Sequence, residues 1–188
     1  MTSLVEDAGQ GDRQALEKLA EIFWVDVFRM IYYRTQSKED AEDLTQDVFL
    51  RAFANLGKLR EPGRFKPWLF GIALNRVRDH MRRKKIINFI GFSGYSSQDE
   101  SPEMRDPHTP SAQALVMRRE FWRHVQGFSK RLAPSEREAF TLRYLDQLTI
   151  PEIAQVLGKS QSSVKTHLYR AVAKFKKNKH LRKALQGV

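Results

Sequence analysis

The sequence predicts an all-α protein of two small helical domains joined by a flexible linker, and three observations predict it. Apolar residues recur at i, i+3, i+4 spacing along most of the chain, and little of it alternates with the period of two that a strand requires. Between about Asn88 and Ser111 that periodicity stops, and Gly91, Gly94, Pro102, Pro107 and Pro110 appear among serines and acids, which is linker composition. The length of 188 residues suits two such domains better than one large core. The expected division is a domain over 1–87, a linker over 88–111 and a second domain over 112–188.

The elements follow in order. Asp12 is placed to cap a first helix whose inward positions are Leu16, Leu19, Ala20, Phe23, Val27, Met30 and Ile31. Ala41, Leu44, Val48, Ala52 and Leu56 mark a second, with Phe49 and Phe53 widening its apolar stripe. Pro62-Gly63 breaks the chain before a third, expected from about Lys66 to Lys85 with Leu69, Ile72, Ala73, Val77 and Met81 turned inward. These make a bundle of three helices, with room for a short leading one. Past the linker a helix is expected over Ala112 to Leu132. Ser135-x-x-Glu138 and Thr149-x-x-Glu152 read as capping boxes opening two more. Gly158 supplies the C-terminal stop of the second, and a last helix starts after Ser160.

Charge narrows the function. The formal net charge is +11, and with 41% hydrophobic and 11% aromatic residues this describes folded domains with a basic surface. A polyanion is the obvious partner. The charge is also segregated: Glu39, Asp40, Glu42, Asp43 and Asp47 cluster against Lys38 alone, whereas Arg76 to Lys85 is basic and no acid follows Glu152. There is no cysteine, so disulfides, thiolate metal sites and cysteine nucleophiles are excluded. His80, His108, His124, His167 and His180 are scattered without ligand spacing, so neither metal nor cofactor is expected. No nucleophile–base constellation or phosphate-cradling glycine loop appears, and no enzyme is expected. The first residues are polar and acidic, and no apolar run approaches the ~20 residues that span a bilayer, which points to the cytoplasm without membrane insertion.

Thr149 to Leu157, Gly158-Lys159-Ser160 and Gln161 to about Lys177 have helix-turn-helix spacing. Ala154 is small where two helices approach, Gly158 tolerates a left-handed turn, and Ile153, Leu157, Val164 and Leu168 are suited to the seam. The polar face of the last helix carries Gln161, Ser162, Ser163, Lys165, Thr166, His167, Tyr169 and Arg170, with base-reading groups first and phosphate-binding groups after them. Two readings of Tyr169 stand here, a DNA contact and a surface aromatic packed on its own helix.

Asp40-Ala-Glu-Asp-Leu-Thr-Gln-Asp-Val-Phe-Leu-Arg-Ala-Phe53, then Phe65-Lys-Pro-Trp-Leu-Phe-Gly-Ile-Ala-Leu-Asn75 and a basic helix end, resemble domain 2 of extracytoplasmic-function (ECF) RNA polymerase sigma factors. Leu132-Ala-Pro-Ser-Glu-Arg-Glu-Ala-Phe-Thr-Leu-Arg-Tyr144 with the helix-turn-helix resembles their domain 4. The resemblance covers nearly the whole chain in the family's order. It implies a bacterial, non-enzymatic protein that binds core RNA polymerase and promoter DNA, as duplex and as melted non-template strand, and that an anti-sigma factor holds inactive.

Residue by residue, it implies that Asp43, Gln46, Asp47 and Leu50 form the polymerase-docking stripe. A solvated helix face with acids favoured at the helix start is the competing reading of that stripe. Lys58, Arg60, Arg64, Phe65, Lys66, Trp68, Asn75, Arg76, Arg82 and Arg83 are implied to meet the minus-10 element, where cations neutralise backbone and aromatics or a pocket take an unstacked base. For Trp68 and Phe70 a core role competes strongly, and for Phe65 the two readings balance. Gln161, Ser162, Ser163, Lys165, Thr166, His167, Tyr169 and Arg170 are implied to read the minus-35 element. Gly71 departs from the family, which often carries a larger residue there. A stand-alone helix-turn-helix regulator is the alternative, and it would bind a palindromic duplex unaided.

Overall fold

The structure is a computed structural model and describes residues 1–89, 124–125 and 127–177. The linker expected over 88–111, apart from its first two residues, lies outside the described residues, as does the helix expected from Ala112 as far as residue 123. Every regular element among the described residues is helical. The helices are α1 (Thr2–Gly9), α2 (Arg13–Thr35), α3 (Lys38–Asn55), α4 (Phe65–Phe89), α5 (Pro134–Tyr144), α6 (Ile150–Leu157) and α7 (Gln161–Lys177). Helices α1 to α4 form one compact unit, and α5 and α7 belong to a second.

In the first unit the punctuation is local and chemical. The Asp12 carboxylate accepts the N–H groups of Gln14 at 2.8 Å and Ala15 at 3.2 Å, capping α2. Gln36, at φ +58°, ends α2 in the left-handed region, and Ser37 Oγ then accepts the Asp40 N–H at 3.1 Å to start α3. Pro62 opens a 3₁₀ turn (Pro62–Arg64) that delivers the chain into α4. Leu19, Val27, Met30 and Ile31 of α2, Ala41, Val48 and Ala52 of α3, and Leu69, Phe70 and Ala73 of α4 are fully buried. Each large apolar side chain among them stabilises the bundle by ~1.5–3 kcal/mol. Met81 departs from expectation: it is 43% exposed, because α4 runs on past the last buried position, Val77.

The second unit has an aromatic core. Val125, Phe128, Leu132, Phe140 and Ala171 are buried together, with Leu145 and Phe175 against them. Phe128 lies 5.4 Å from both Phe140 and Phe175, edge to face. Arg137 closes the chain ahead of α5 by donating from Nε to the Ser129 carbonyl at 2.7 Å and from Nη2 to the Leu132 carbonyl at 3.2 Å.

The expected capping box at Ser135 is corrected. Pro134 occupies the first turn of α5, so the cap position falls on Ala133, whose N–H donates to Glu136 Oε2 at 3.2 Å. Alanine offers no side-chain acceptor, so only half of a box forms. The Thr149 box is complete: the Thr149 N–H donates to Glu152 Oε2 at 2.7 Å, and Thr149 Oγ1 accepts the Glu152 N–H at 3.5 Å.

Candidate nucleic-acid and polymerase interfaces

Asp43, Gln46 and Leu50 lie exposed on α3 at i, i+3, i+7, and Leu50 is 71% exposed. Asp47 is different. Its side chain is 32% exposed and turned toward α4, where it pairs with Arg76 while accepting from Arg51 Nε at 2.9 Å. Burial pushes the Asp47 carboxyl up, but hydrogen bonds from Arg51 and Arg76 outweigh it and hold the group below the usual carboxylate range. One helical repeat earlier, Asp40 meets His80 Nε2 at 3.2 Å and Lys84 Nζ at 3.2 Å. Acids at i and i+7 on α3 therefore face basic groups at i, i+4 and i+8 on α4.

Arg76, expected at the minus-10 element, is 18% exposed and paired with Asp47 in the unbound chain. For Phe65 the balance falls on the core side: it is 1% exposed, with its ring 5.4 Å from Phe23 and 6.0 Å from Trp68. As the first residue of α4 it is delivered inward by the preceding turn. Phe70 is core, as its competing reading held.

Trp68 and Lys66 are half-buried, and the Lys66 ammonium lies 5.9 Å from the Phe70 ring centroid. Lys58, Arg60, Arg64, Asn75, Arg82 and Arg83 are exposed. Among these Lys58 donates to Asn55 Oδ1 at 2.8 Å, Arg64 pairs with Glu61 at 2.8 Å and Arg82 lies 3.6 Å from Asp79. Such exposed pairs are weak and give way to a phosphate.

In the helix-turn-helix, Gly158 adopts φ +61° and Ser160 Oγ accepts the Ser163 N–H at 3.2 Å, so turn and cap fall where the spacing put them. Ile153, Ala154, Val164, Leu168 and Ala171 are buried, and Leu157 is half-buried. Gln161, Ser162, Lys165, Thr166 and Arg170 are exposed, and Tyr169 at 77% has its ring in solvent and not packed along its own helix. Thr166 Oγ1 donates to the Ser162 carbonyl at 3.0 Å. Ser163 and His167 are half-buried and meet each other, Oγ to Nε2, at 3.4 Å.

One pair escaped sequence reasoning. Lys174 Nζ donates to Glu136 Oε2 at 2.6 Å across α7 and α5. Nothing local signals a contact spanning so many residues.

The Sigma-70 region 2 family matches residues 25–86, and the family described as Sigma-70, region 4 matches residues 128–175. A region 2 bundle followed by a region 4 helix-turn-helix is the arrangement of a promoter-recognition factor. The chain is 35% identical over 176 residues to the ECF RNA polymerase sigma factor BldN of Streptomyces coelicolor, covering 92% of this chain and 63% of that protein. It is 30% identical over 142 residues to a probable RNA polymerase sigma factor of Haemophilus influenzae, covering 70% of this chain and 72% of that one. The solved structure of CnrH in complex with the cytosolic domain of CnrY superposes with a TM-score of 0.68 at 25% identity, covering 93% of this chain and 94% of that one. The chain belongs to the RNA polymerase sigma factors, in their extracytoplasmic-function branch. No helix among the described residues is long and apolar enough to cross a membrane.

Proposed function

We propose that this chain binds core RNA polymerase in the bacterial cytoplasm and directs it to promoters, opening the minus-10 element with its first unit and reading the minus-35 duplex with its second. The carrying observation is the segregation of exposed chemistry. Asp43, Gln46 and Leu50 offer acid and an apolar group to a protein partner. Lys58, Arg60, Arg64, Asn75, Arg82 and Arg83 offer cations and an amide to a melted strand, and α7 offers Gln161, Lys165, Tyr169 and Arg170 to a duplex. No chemical step is assigned to the chain itself, which acts by binding. CnrH, its structural relative, is solved in complex with the cytosolic domain of CnrY, and this supports a protein partner here, which we propose is an anti-sigma factor.

The test is promoter-dependent transcription from a genomic fragment library by the purified chain mixed with core polymerase. Failure to bind core and to give specific transcripts overturns the proposal, and tight unaided binding to a palindromic duplex would favour a stand-alone regulator. Because Asp43 and Leu50 are both exposed, Asp43→Arg with Leu50→Asp should abolish core binding while leaving the melting temperature unchanged. Lys165→Ala with Arg170→Ala should spare core binding and weaken recognition of the minus-35 element. Loss of the same activity in both would dissolve the division of labour.

A further inference from the structure

Resting on that reading, we infer that Glu136 is a specificity-determining positioning residue: by holding Lys174 against α5 it keeps that cation off the DNA backbone, so that the reading helix binds sequence in preference to charge.

The geometry begins with burial. Glu136 is 6% exposed and sits in the first turn of α5, where the helix N-terminus favours an anion. Its Oε2 accepts Lys174 Nζ at 2.6 Å and the Ala133 N–H at 3.2 Å. The Lys174 hydrogen bond, set against burial and helped by the Ala133 N–H, holds the carboxyl below the usual range, and the charge of Arg170 acts in the same direction. The acid is therefore ionised at neutral pH.

Lys174 differs from its partner in being half open, with 48% of its side chain exposed against 8% for Glu136. It lies beside Phe175 of the core and one helical turn beyond Arg170, at the edge of the stripe that Val164, Leu168 and Ala171 bury. A released Lys174 would not be stranded in the interior. It would swing out on its flexible stem to join the exposed cations of α7.

The consequence for recognition is electrostatic. Phosphate contacts raise affinity for every DNA sequence and carry no sequence information. Each one adds about 0.9 to the dependence of log affinity on log salt. A helix carrying Lys165, Arg170, Lys176 and Lys177 already has ample backbone charge. One more contact lifts the non-specific background and lowers the ratio on which promoter search depends. Glu136 removes that contact through a neighbouring helix and without touching DNA.

The test uses holoenzyme assembled with the full chain, a promoter selected by it and a non-promoter duplex of equal length. Glu136→Gln preserves an acceptor for the Ala133 N–H while removing the charge. Expected are a several-fold rise in affinity for the non-promoter duplex, a log–log salt slope steeper by about one on both duplexes, and a promoter-to-non-promoter ratio lowered several-fold. Glu136→Gln with Lys174→Gln should return the slope to the wild-type value, which a merely structural role would not do. An unchanged slope in the single variant, or a slope still steep in the double, overturns the inference.

A measurement on the unmutated protein guards against variants that fail to fold. In lysine-acetylation footprinting, promoter DNA should protect Lys165 and leave Lys174 unaffected. Equal protection of both overturns the inference. Wild-type holoenzyme without any promoter-specific complex would instead overturn the sigma reading itself, and this inference along with it.

Discussion

Asp43 and Asp47 stand four residues apart on α3, yet the first faces solvent and the second is folded against Arg76. Both were expected on one docking stripe, because helical spacing defines a face but not what lies across from it. The cation 29 positions away that claims Asp47 leaves no mark on that spacing. Phe65 repeats the lesson: an aromatic after a Pro-Gly break reads equally as core or as a base platform, and only its packing on Phe23 decides. Gly71 makes a residue-scale prediction. It lies inside α4, and a Cβ built there meets nothing within 4 Å. Gly71→Ala should therefore stabilise the chain by ~1 kcal/mol, seen as a higher midpoint in denaturant at unchanged slope. A drop in the midpoint would mean a contact at this position that the bundle does not show.

At the scale of elements, what was legible was whatever is encoded within a few residues. Asp12, Ser37, the Thr149 box, Gly158 and Ser160 all act over two to four positions, so their signals lie in the local sequence. Ser135 misled because Pro134 moved the helix start. The Glu136–Lys174 pair spans 38 positions and was invisible.

That pair predicts how the second unit responds to acid. The folded-state carboxyl of Glu136 lies below its ordinary value of 4.5, so its contribution is complete above that pH and is lost as pH falls through the folded value. Thermal melts should show the wild-type chain losing stability on acidification below that value, with a smaller loss in Glu136→Gln. Parallel curves for the two proteins would show that Lys174 contributes nothing there. Asp47 acts with the same sign in the first unit, below its ordinary 3.8.

For the whole molecule, the 33 lysines and arginines overstate the cations that a polyanion meets. Arg76 and Lys84 are spent on α3, and Lys174 is spent on α5. Composition identified a nucleic-acid binder, and segregated charge with helical periodicity carried the reading to two domains with separate tasks. Which cations remain available is a tertiary property and had to come from the structure.

Leu50 has one further consequence. An isobutyl group left in water on a folded surface keeps its hydration shell until a partner displaces it. The proposed docking on core polymerase through this residue should therefore release water and lower the heat capacity of the system. Calorimetry of the assembly at several temperatures should give a negative slope of enthalpy against temperature, diminished in Leu50→Ala. Cooling should then weaken the assembly at this contact, and warming should strengthen it.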